Sequence, residues 1–356
     1  MPTLRITETA TRRPRVADPD LGFGRVFTDH MLVVDYTRDK GWHDARIEPY
    51  GPFSLDPATL VFHYGQAVFE GFKAFRSDSG HIVLFRPADH LARLNASCAR
   101  LCIPPLEERF ILDAVKALVR LDAEWVPRTF GCALYIRPCV IATEAVLGVR
   151  PSGTYRFFTI LSPVGAYYAE GFRPVRILVS ERYARAVRGG LGAAKTPANY
   201  AASLLAEQEA KAAGFTQVLW LDSVERRYVE EVGTMNIFFR LGDELVTCPL
   251  EGTILAGVTR DSVIRLAGHW GLRVSERRLS IADIREAHAR GTLLEVFGSG
   301  TAAVISPVAE LRFAEQSLLI NQGRVGEWTQ RLFETLTGIQ YGKIEDPFGW
   351  TVPISS

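Results

Sequence analysis

The chain has 356 residues, of which 47% are apolar, and this is enough for two domains that each bury a hydrophobic core. Lysine and arginine total 41 against 40 aspartate and glutamate residues, so the chain lacks the excess positive charge that binds nucleic acid or an anionic membrane. No run of eighteen apolar residues appears and the first twenty residues are rich in charge and proline, so we expect a soluble, cytoplasmic protein without a membrane or secretory segment.

Residues 1–163 are predicted to form an N-terminal domain in which strands and helices alternate. Periodicity of the apolar residues distinguishes the two kinds of element, and Pro104 ends the first helix. The predicted elements, in chain order, are a strand at 81–87, helices at 88–103 and 108–126, and strands at 132–142 and 155–163. This pattern is typical of an α+β unit.

Glycine and proline interrupt the chain at 164–174, where we predict the interdomain loop. The second domain, 175–356, is then predicted to be the larger one. Its elements, in chain order, are a strand at 174–181, a helix at 199–214, strands at 216–222, 226–232, 235–241 and 244–249, a helix at 259–270, a helix at 281–290, a strand at 292–297 and a helix at 325–337. The segment RVSERRLS at 273–280 connects the helices at 259–270 and 281–290. The fold class is therefore α/β with mixed α+β character in two domains.

Residues 189–204, GGLGAAKTPANYAASL, place Lys195 among small residues. A phosphate-binding P-loop requires glycine directly before the lysine, where this chain has Ala194. The dinucleotide motif GxGxxG matches Gly190 and Gly192, but Lys195 occupies the third glycine position. An amine that a carbonyl can approach is suited to Schiff-base chemistry. From this segment alone, a solvated loop lysine is the alternative interpretation.

Metal chemistry has little support in the sequence. The five cysteines are odd in number and lack the short paired spacings of a zinc site. The seven histidines form no HExxH motif. We therefore expect reduced thiols and no metal.

Six ordered motifs extend over nearly the whole chain. They are FHYGQAVFEGFKAFR at 62–76, LYIRPCVIATEAVLGV at 134–149, the lysine segment, EVGTMNIFF at 231–239, ILAGVTRD at 254–261 and FGSGTAAVISPV at 297–308. With these motifs the sequence resembles the branched-chain amino acid aminotransferases, which are pyridoxal-phosphate enzymes of fold type IV. The resemblance implies a smaller N-terminal domain and a larger cofactor domain with a barrel-like mixed sheet.

The resemblance also implies which residues hold pyridoxal 5'-phosphate. Lys195 is the lysine that binds it as a Schiff base, and Glu231 pairs with the pyridine nitrogen, although an exposed glutamate beside Glu230 is the alternative. The phosphate is expected to lie at the N-terminus of a helix and against a turn over 298–302. The remaining cofactor residues are Arg93, Tyr200, Gly257, Val258, Thr259 and Thr301. By spacing alone, Arg86, Arg93 and Arg100 are equally compatible with a solvated stripe.

For the substrate, strand alternation places Tyr135 and Arg137 on one face, and Leu134 and Ile136 on the other. The resemblance implies that an aromatic wall binds leucine, isoleucine or valine, while Arg137 with two tyrosines meets the side-chain carboxylate of glutamate. The α-carboxylate is expected on the amides of the 301–302 turn. The implied substrate residues are Tyr64, Phe69, Tyr135, Arg137, Val149, Tyr167, Thr301 and Ala302.

The implied reaction is a reversible transfer of an amino group from a branched-chain amino acid to 2-oxoglutarate, in a homodimer. Two positions depart from the family pattern. Pro197 and Ala198 stand where the family usually has two glycines after the lysine, and Ala303 and Ser306 replace a Cys-x-x-Cys pair. The rival hypotheses are a D-amino acid aminotransferase or aminodeoxychorismate lyase of the same fold, a cofactor-free Schiff-base lyase and a non-catalytic binding protein.

Overall fold

The computed structural model describes residues 3–165 and 172–354. The chain forms two compact units that are interleaved in sequence. The first comprises Met1–Tyr167, Ala194–Pro197 and Gly338–Ser356, and the second comprises Tyr168–Ala193 and Ala198–Thr337.

The first unit is built on an antiparallel sheet to which one parallel edge strand is added. The strands are β1 (Arg5–Ile6), β2 (His30–Thr37), β3 (Gly41–Pro49), β4 (Ala67–Phe69), β5 (Phe72–Arg76), β6 (Ile82–Phe85), β7 (Ala133–Ala142), β8 (Thr154–Val164) and β18 (Thr351–Pro353). They are ordered β1-β3-β2-β8-β7-β5-β6-β18, with β4 paired to β7. The sequence did not predict the long hairpin of β2 and β3.

The second unit contains a closed barrel. Its strands are β9 (Val175–Val179), β10 (Gln217–Leu221), β11 (Val229–Val232), β12 (Met235–Leu241), β13 (Glu244–Thr247), β14 (Arg273–Glu276), β15 (Leu293–Gly300), β16 (Val304–Phe313) and β17 (Gln316–Leu319). The order is β11-β10-β9-β16-β15-β12-β13-β14, and β11 also pairs with β12, which closes six strands into a ring. The predicted barrel-like mixed sheet is confirmed.

The helices are α1 (Leu60–Tyr64), α2 (Pro87–Arg100), α3 (Glu108–Leu121), α4 (Pro197–Ala201), α5 (Leu204–Ala212), α6 (Val258–His269), α7 (Ile281–Ala289) and α8 (Glu327–Gln340). α3 buries Ile111, Val115 and Leu118, which recur at helical spacing, and the Glu107 side chain caps its first turn. The single helix predicted over 199–214 is instead α4 and α5, with Ser203 as the N-cap of α5. Gly214, predicted to end it, has a positive φ of 81°.

Two segments that the sequence placed in the C-terminal domain lie in the first unit. The end of the chain belongs there because β18 pairs with β6, with Val352 opposite Leu84. The Lys195 segment belongs there because its backbone is hydrogen-bonded to β4 and α2. The division into residues 1–163 and 175–356 therefore follows the order of the motifs along the chain. In the structure, the Lys195 segment and the end of the chain are both part of the first compact unit.

Candidate active site

The backbone of Lys195 is held on both sides within the first unit. Its carbonyl accepts a hydrogen bond of 3.1 Å from the N–H of Phe69, and its own N–H donates to the Ser97 hydroxyl at 2.9 Å. The half-buried side chain carries its Nζ 4.9 Å from the centre of the Phe69 ring. The interpretation of Lys195 as a solvated loop residue is therefore wrong.

The surroundings of Lys195 make its amine easier to deprotonate. Burial lowers the pKa of Lys195 to about 8, Glu70 acts against that shift, and the Arg93 guanidinium adds to it. Because an ordinary lysine has a pKa of about 10.4, a far larger fraction of this amine is neutral near pH 7. A neutral amine is the form that attacks a carbonyl carbon.

Glu70, to which sequence reasoning assigned no role, is fully buried beside Arg93. The Arg93 Nε donates to Glu70 Oε1 at 2.6 Å and Nη2 donates to Oε2 at 2.9 Å, while the His90 Nδ1 lies 3.0 Å from Oε2. Burial by itself would raise the pKa of Glu70, but Arg93 and His90 outweigh it and hold that pKa well below its ordinary value. The sequence signal that could have identified Glu70 is its position as a charged residue inside the apolar run VFEGF.

The three arginines at 86, 93 and 100 do not form a solvated stripe. Arg86 is buried at the start of α2 and its Nε donates to Asp89 at 2.8 Å. Arg93 is bound to Glu70, and only Arg100 is exposed. The seven-residue spacing therefore has no common structural role.

On β7, the predicted alternation of faces is confirmed. Leu134 and Ile136 are fully buried in the core of the first unit, and on the other face the Arg137 Nη2 donates to the Tyr135 hydroxyl at 3.2 Å. The Arg137 guanidinium also lies 4.9 Å from the centre of the Phe69 ring. A Cβ added at Gly71 would come within 1.7 Å of the Tyr135 hydroxyl, so the glycine allows this arrangement.

The other predicted substrate residues of the first unit are more exposed. The Tyr64 hydroxyl donates to the carbonyl of Leu147 from a side chain in the last turn of α1. Val149 is 84% exposed, and Tyr167 lies outside the described residues. The structure thus brings four of the predicted residues together, namely Phe69, Tyr135, Arg137 and Lys195. The exposed Val149 is not part of this cluster.

In the second unit, Glu231 is buried on β11, which makes the interpretation as an exposed glutamate wrong. Its Oε1 accepts hydrogen bonds from the Asn236 side chain at 3.1 Å and from the Leu255 N–H at 3.0 Å, and its Oε2 lies 2.7 Å from the Arg185 Nε. The carboxylate is held in one position by three groups of its own unit.

The predicted phosphate-binding residues start a helix. Gly257 is the N-cap of α6 and has extended backbone, and Val258 and Thr259 form the first turn. A Cβ at Gly257 would lie 2.0 Å from the Asn236 Oδ1, so only glycine lets the chain pass the side chain that also binds Glu231. The backbone N–H groups of a first helical turn favour anions.

The predicted flexible turn over 298–302 is shorter than expected. Gly298 and Ser299 belong to β15 and pair with Ser306 and Ile305 of β16, so their amides are part of a sheet ladder. The turn itself comprises residues 301–303, which include Thr301 and Ala302, and both of these residues are half-buried. Thr301 and Ala302, the residues predicted to contact the phosphate and the substrate carboxylate, therefore lie in the turn itself.

Pro197, the departure from the family pattern, is the first residue of α4. Proline suits this position, because its fixed φ matches the helix and its missing N–H has no partner there anyway. Tyr200 follows on the same short helix and is half-buried. The substitution thus provides a helix start two residues after the lysine.

A model of the family "Amino-transferase class IV" matches residues 67–311 of the chain. The branched-chain-amino-acid aminotransferase 2 of Bacillus subtilis is 54% identical over 99% of this chain and 98% of its own length. This chain belongs to the branched-chain aminotransferases of class IV.

Solved structures agree with this family assignment. The branched-chain amino acid aminotransferase of Escherichia coli matches with a TM-score of 0.78 at 28% identity, over 92% of this chain and 99% of that one. The T.th. enzyme complexed with N-(5'-phosphopyridoxyl)-L-glutamate matches with a TM-score of 0.73 at 27% identity, over 91% and 98% of the two chains. Both the fold class and the family predicted from the motifs are confirmed, and the chain is an aminotransferase.

Three further observations concern this aminotransferase. Residues 3–165 and 172–354 contain no group of three or more histidine, cysteine or acidic side chains arranged to hold a metal ion. Over the same residues, every helix is too short or too polar to cross a membrane. All five cysteines are free thiols, as expected, and Cys102 is the exposed one.

Proposed function

We propose that this enzyme transfers the amino group of L-leucine, L-isoleucine or L-valine to 2-oxoglutarate, giving branched 2-oxo acids and L-glutamate, with Lys195 binding pyridoxal phosphate. The observation that carries the proposal is the placement of Lys195. Hydrogen bonds fix its backbone on both sides, and burial lowers its pKa to about 8, which suits an amine that reacts with a carbonyl group. The T.th. structure with a phosphopyridoxyl glutamate adduct supports the same cofactor and amino donor.

The donor set fits pyridoxal phosphate. When bound, this cofactor supplies an aldehyde that a lysine links to as a Schiff base and a ring that takes up the electron pair released at the substrate carbon. Glu231 is suited to accept the N–H of a protonated ring nitrogen, since its carboxylate is buried and oriented by Asn236 and Leu255. The first turn of α6, from Val258, together with Arg93 and Thr301, would hold the phosphate.

A second role of Lys195 would be proton transfer. Its neutral amine would take the proton from the substrate Cα as general base, and the ammonium so formed would then act as general acid. The shifted pKa of about 8 keeps both protonation states accessible near neutral pH. Glu70 limits the downward shift of this pKa and so keeps the protonated state available as well.

The pocket has to accept two kinds of side chain. Phe69 and Tyr135, together with Tyr64, would form an apolar wall for a branched side chain. Arg137 is held to the Tyr135 hydroxyl at 3.2 Å and would meet the side-chain carboxylate of glutamate with Tyr64. The α-carboxylate would lie on the amides at Thr301 and Ala302.

Steady-state kinetics with L-leucine and with D-alanine, each with 2-oxoglutarate, test the proposal. We expect turnover with L-leucine, L-isoleucine and L-valine and at least about a hundredfold lower kcat/KM with D-alanine, because the opposite configuration misplaces the Cα proton relative to Lys195. A preference for D-alanine would contradict the proposal and identify a D-amino acid aminotransferase. Release of pyruvate from aminodeoxychorismate would identify the lyase instead.

The proposed assembly is a homodimer, as the family resemblance implies. Sedimentation equilibrium on the holoenzyme measures it directly. A molecular mass of twice the 39.5 kDa chain is expected, and a monomer at working concentration would contradict it.

A further inference from the structure

Glu230 and Glu231 are neighbours on β11, so their side chains lie on opposite faces of the strand. Glu231 belongs to the candidate active site, whereas Glu230 lines a separate cavity of about 220 Å³ in the second unit. The cavity is also lined by Tyr228, Cys248, Thr253, Arg188 and Arg278. A cavity of about 150 Å³ already holds a benzene ring, so this one has room for a small organic molecule.

The Glu230 carboxylate has one satisfied and one unsatisfied oxygen. Its Oε1 accepts a hydrogen bond of 2.6 Å from the Thr253 hydroxyl. The whole residue is only 7% exposed, and its Oε2 is buried. This oxygen accepts no hydrogen bond from any residue in the described ranges. Buried polar atoms almost always have a partner, so Oε2 is a position where a hydrogen-bond donor is needed.

The other charged groups of the cavity are paired. Arg188 lies 2.6 Å from Glu251, and Arg278 lies 3.7 Å from Glu225. The fourth acid, Asp222, accepts hydrogen bonds from four backbone N–H groups, those of Val224, Glu225, Arg227 and Tyr228. Glu230 is therefore the buried acid of this cavity that has a hydrogen-bonding position left for a ligand.

Glu230 is also linked to the candidate active site through hydrogen bonds. The Thr253 hydroxyl donates to Glu230, and the Thr253 carbonyl accepts a hydrogen bond from the Arg185 Nη2. The same guanidinium lies 2.7 Å from Glu231 through its Nε. A ligand that changes the position or charge of Glu230 therefore acts on a residue that contacts the Glu231 carboxylate.

We propose that this cavity is a second binding site, distinct from the active site, for a small organic cation with N–H donors, which Glu230 Oε2 recognises. Alkylammonium and guanidinium compounds share this chemistry, because both bring a positive charge and hydrogen-bond donors to a carboxylate. Tyr228 and Ile254 supply apolar contact area around the charged group. An anion is disfavoured, since both arginines are already paired with acids of the same cavity.

The site predicts a specific pH dependence of binding. Burial raises the pKa of Glu230, Arg185 and Arg278 act against the shift, and Asp222 adds to it. The other titratable groups that line the cavity are Arg188, Glu225, Tyr228, Cys248 and Glu251. A cation prefers the ionised carboxyl, so its affinity rises as the pH increases through the raised pKa and then levels off.

Isothermal titration calorimetry on the holoenzyme tests the proposal with methylguanidine as the probe and methylurea as its uncharged counterpart. We expect one methylguanidine to bind per chain, methylurea to bind at least about tenfold more weakly, and Glu230→Gln to weaken methylguanidine binding about tenfold or more. Glu315→Gln, an exposed acid outside the cavity that is paired with Arg312, is the matched control and is expected to retain binding within about threefold, as exposed pairs contribute little.

Each alternative outcome contradicts the proposal. Equal binding of methylurea and methylguanidine would show that charge is not recognised. Undiminished binding to Glu230→Gln would place the probe elsewhere. If Glu230→Gln does not fold, the pH profile of the unsubstituted enzyme decides. Affinity that stays constant or falls as the pH rises from below the ordinary pKa of a glutamic acid would exclude recognition by the Glu230 carboxylate.

Discussion

The Glu70 carboxylate accepts two hydrogen bonds from the guanidinium of Arg93, of 2.6 and 2.9 Å, in the bidentate geometry that fixes an arginine most firmly. Arg93 is the residue that the family resemblance assigns to the cofactor phosphate. The buried acid thus orients the arginine in advance, and its negative charge also acts on the pKa of Lys195.

Glu70→Gln is expected to weaken cofactor binding and destabilise the protein. Removing the charge leaves Arg93 partly buried without its ionic partner, which costs about 3–5 kcal/mol of folding free energy in buried pairs. The Lys195 pKa should fall further, since Glu70 raises it, so the pH at which activity reaches half its maximum moves to lower pH. Pyridoxal phosphate titration and a pH–rate profile measure both effects. Asp78→Asn, an exposed acid, is the control, and unchanged cofactor affinity would contradict the role of Glu70.

Arg137→Ala is expected to lower activity with 2-oxoglutarate much more than activity with L-leucine. Loss of a charge-assisted contact with a carboxylate costs about 1.5–3 kcal/mol, so kcat/KM for 2-oxoglutarate should fall about 10- to 100-fold while kcat/KM for L-leucine changes little. Arg156→Ala is the control, because this arginine lies on β8 and is paired with Asp35 at 2.7 Å. An equal loss with both substrates would show that Arg137 does not select the acidic side chain.

Glu231→Gln is expected to lower kcat about 10²- to 10³-fold, because a neutral amide cannot keep the ring nitrogen protonated, and electrostatic stabilisation of this kind has that magnitude. The amide is nearly isosteric, so cofactor content should be retained. Glu310→Gln, an acid of the same unit paired with Arg176 at 2.6 Å, is the control. A kcat within about threefold of the unsubstituted enzyme would exclude the assignment of Glu231 to the ring nitrogen.

Gly71→Ala is expected to displace the Tyr135 ring, because the new Cβ would lie 1.7 Å from its hydroxyl. Overpacking of this kind costs about 1–3 kcal/mol of stability, and loss of the Tyr135–Arg137 hydrogen bond should raise KM for 2-oxoglutarate. Urea denaturation and steady-state kinetics measure the two effects. Gly268→Ala provides the comparison, since nothing lies within 4 Å of its added Cβ. Equal stability of the two variants would argue against the close approach at Gly71.

Local patterns predicted much of this structure. The helical spacing in α3 and the alternation in β7 report burial directly, because each depends on neighbours in sequence. The pairing of β18 with β6 and of β9 with β16 was not predictable, since pairing between distant segments leaves no periodic signal. Glu70 was missed for the same reason: its partners His90 and Arg93 lie 20 and 23 residues further along the chain.

Two lysines of the first unit have a pKa lowered to about 8 by burial, Lys195 and Lys73, and only one of them can carry the cofactor. Borohydride reduction of the holoenzyme followed by peptide mass mapping identifies the lysine that carries the cofactor, because it fixes the phosphopyridoxyl group to the lysine that bound it. We expect the visible absorbance of the Schiff base to be lost and this label to lie on Lys195, in the peptide containing AAKTPANY. A label on Lys73, or a protein that takes up no label, would contradict it.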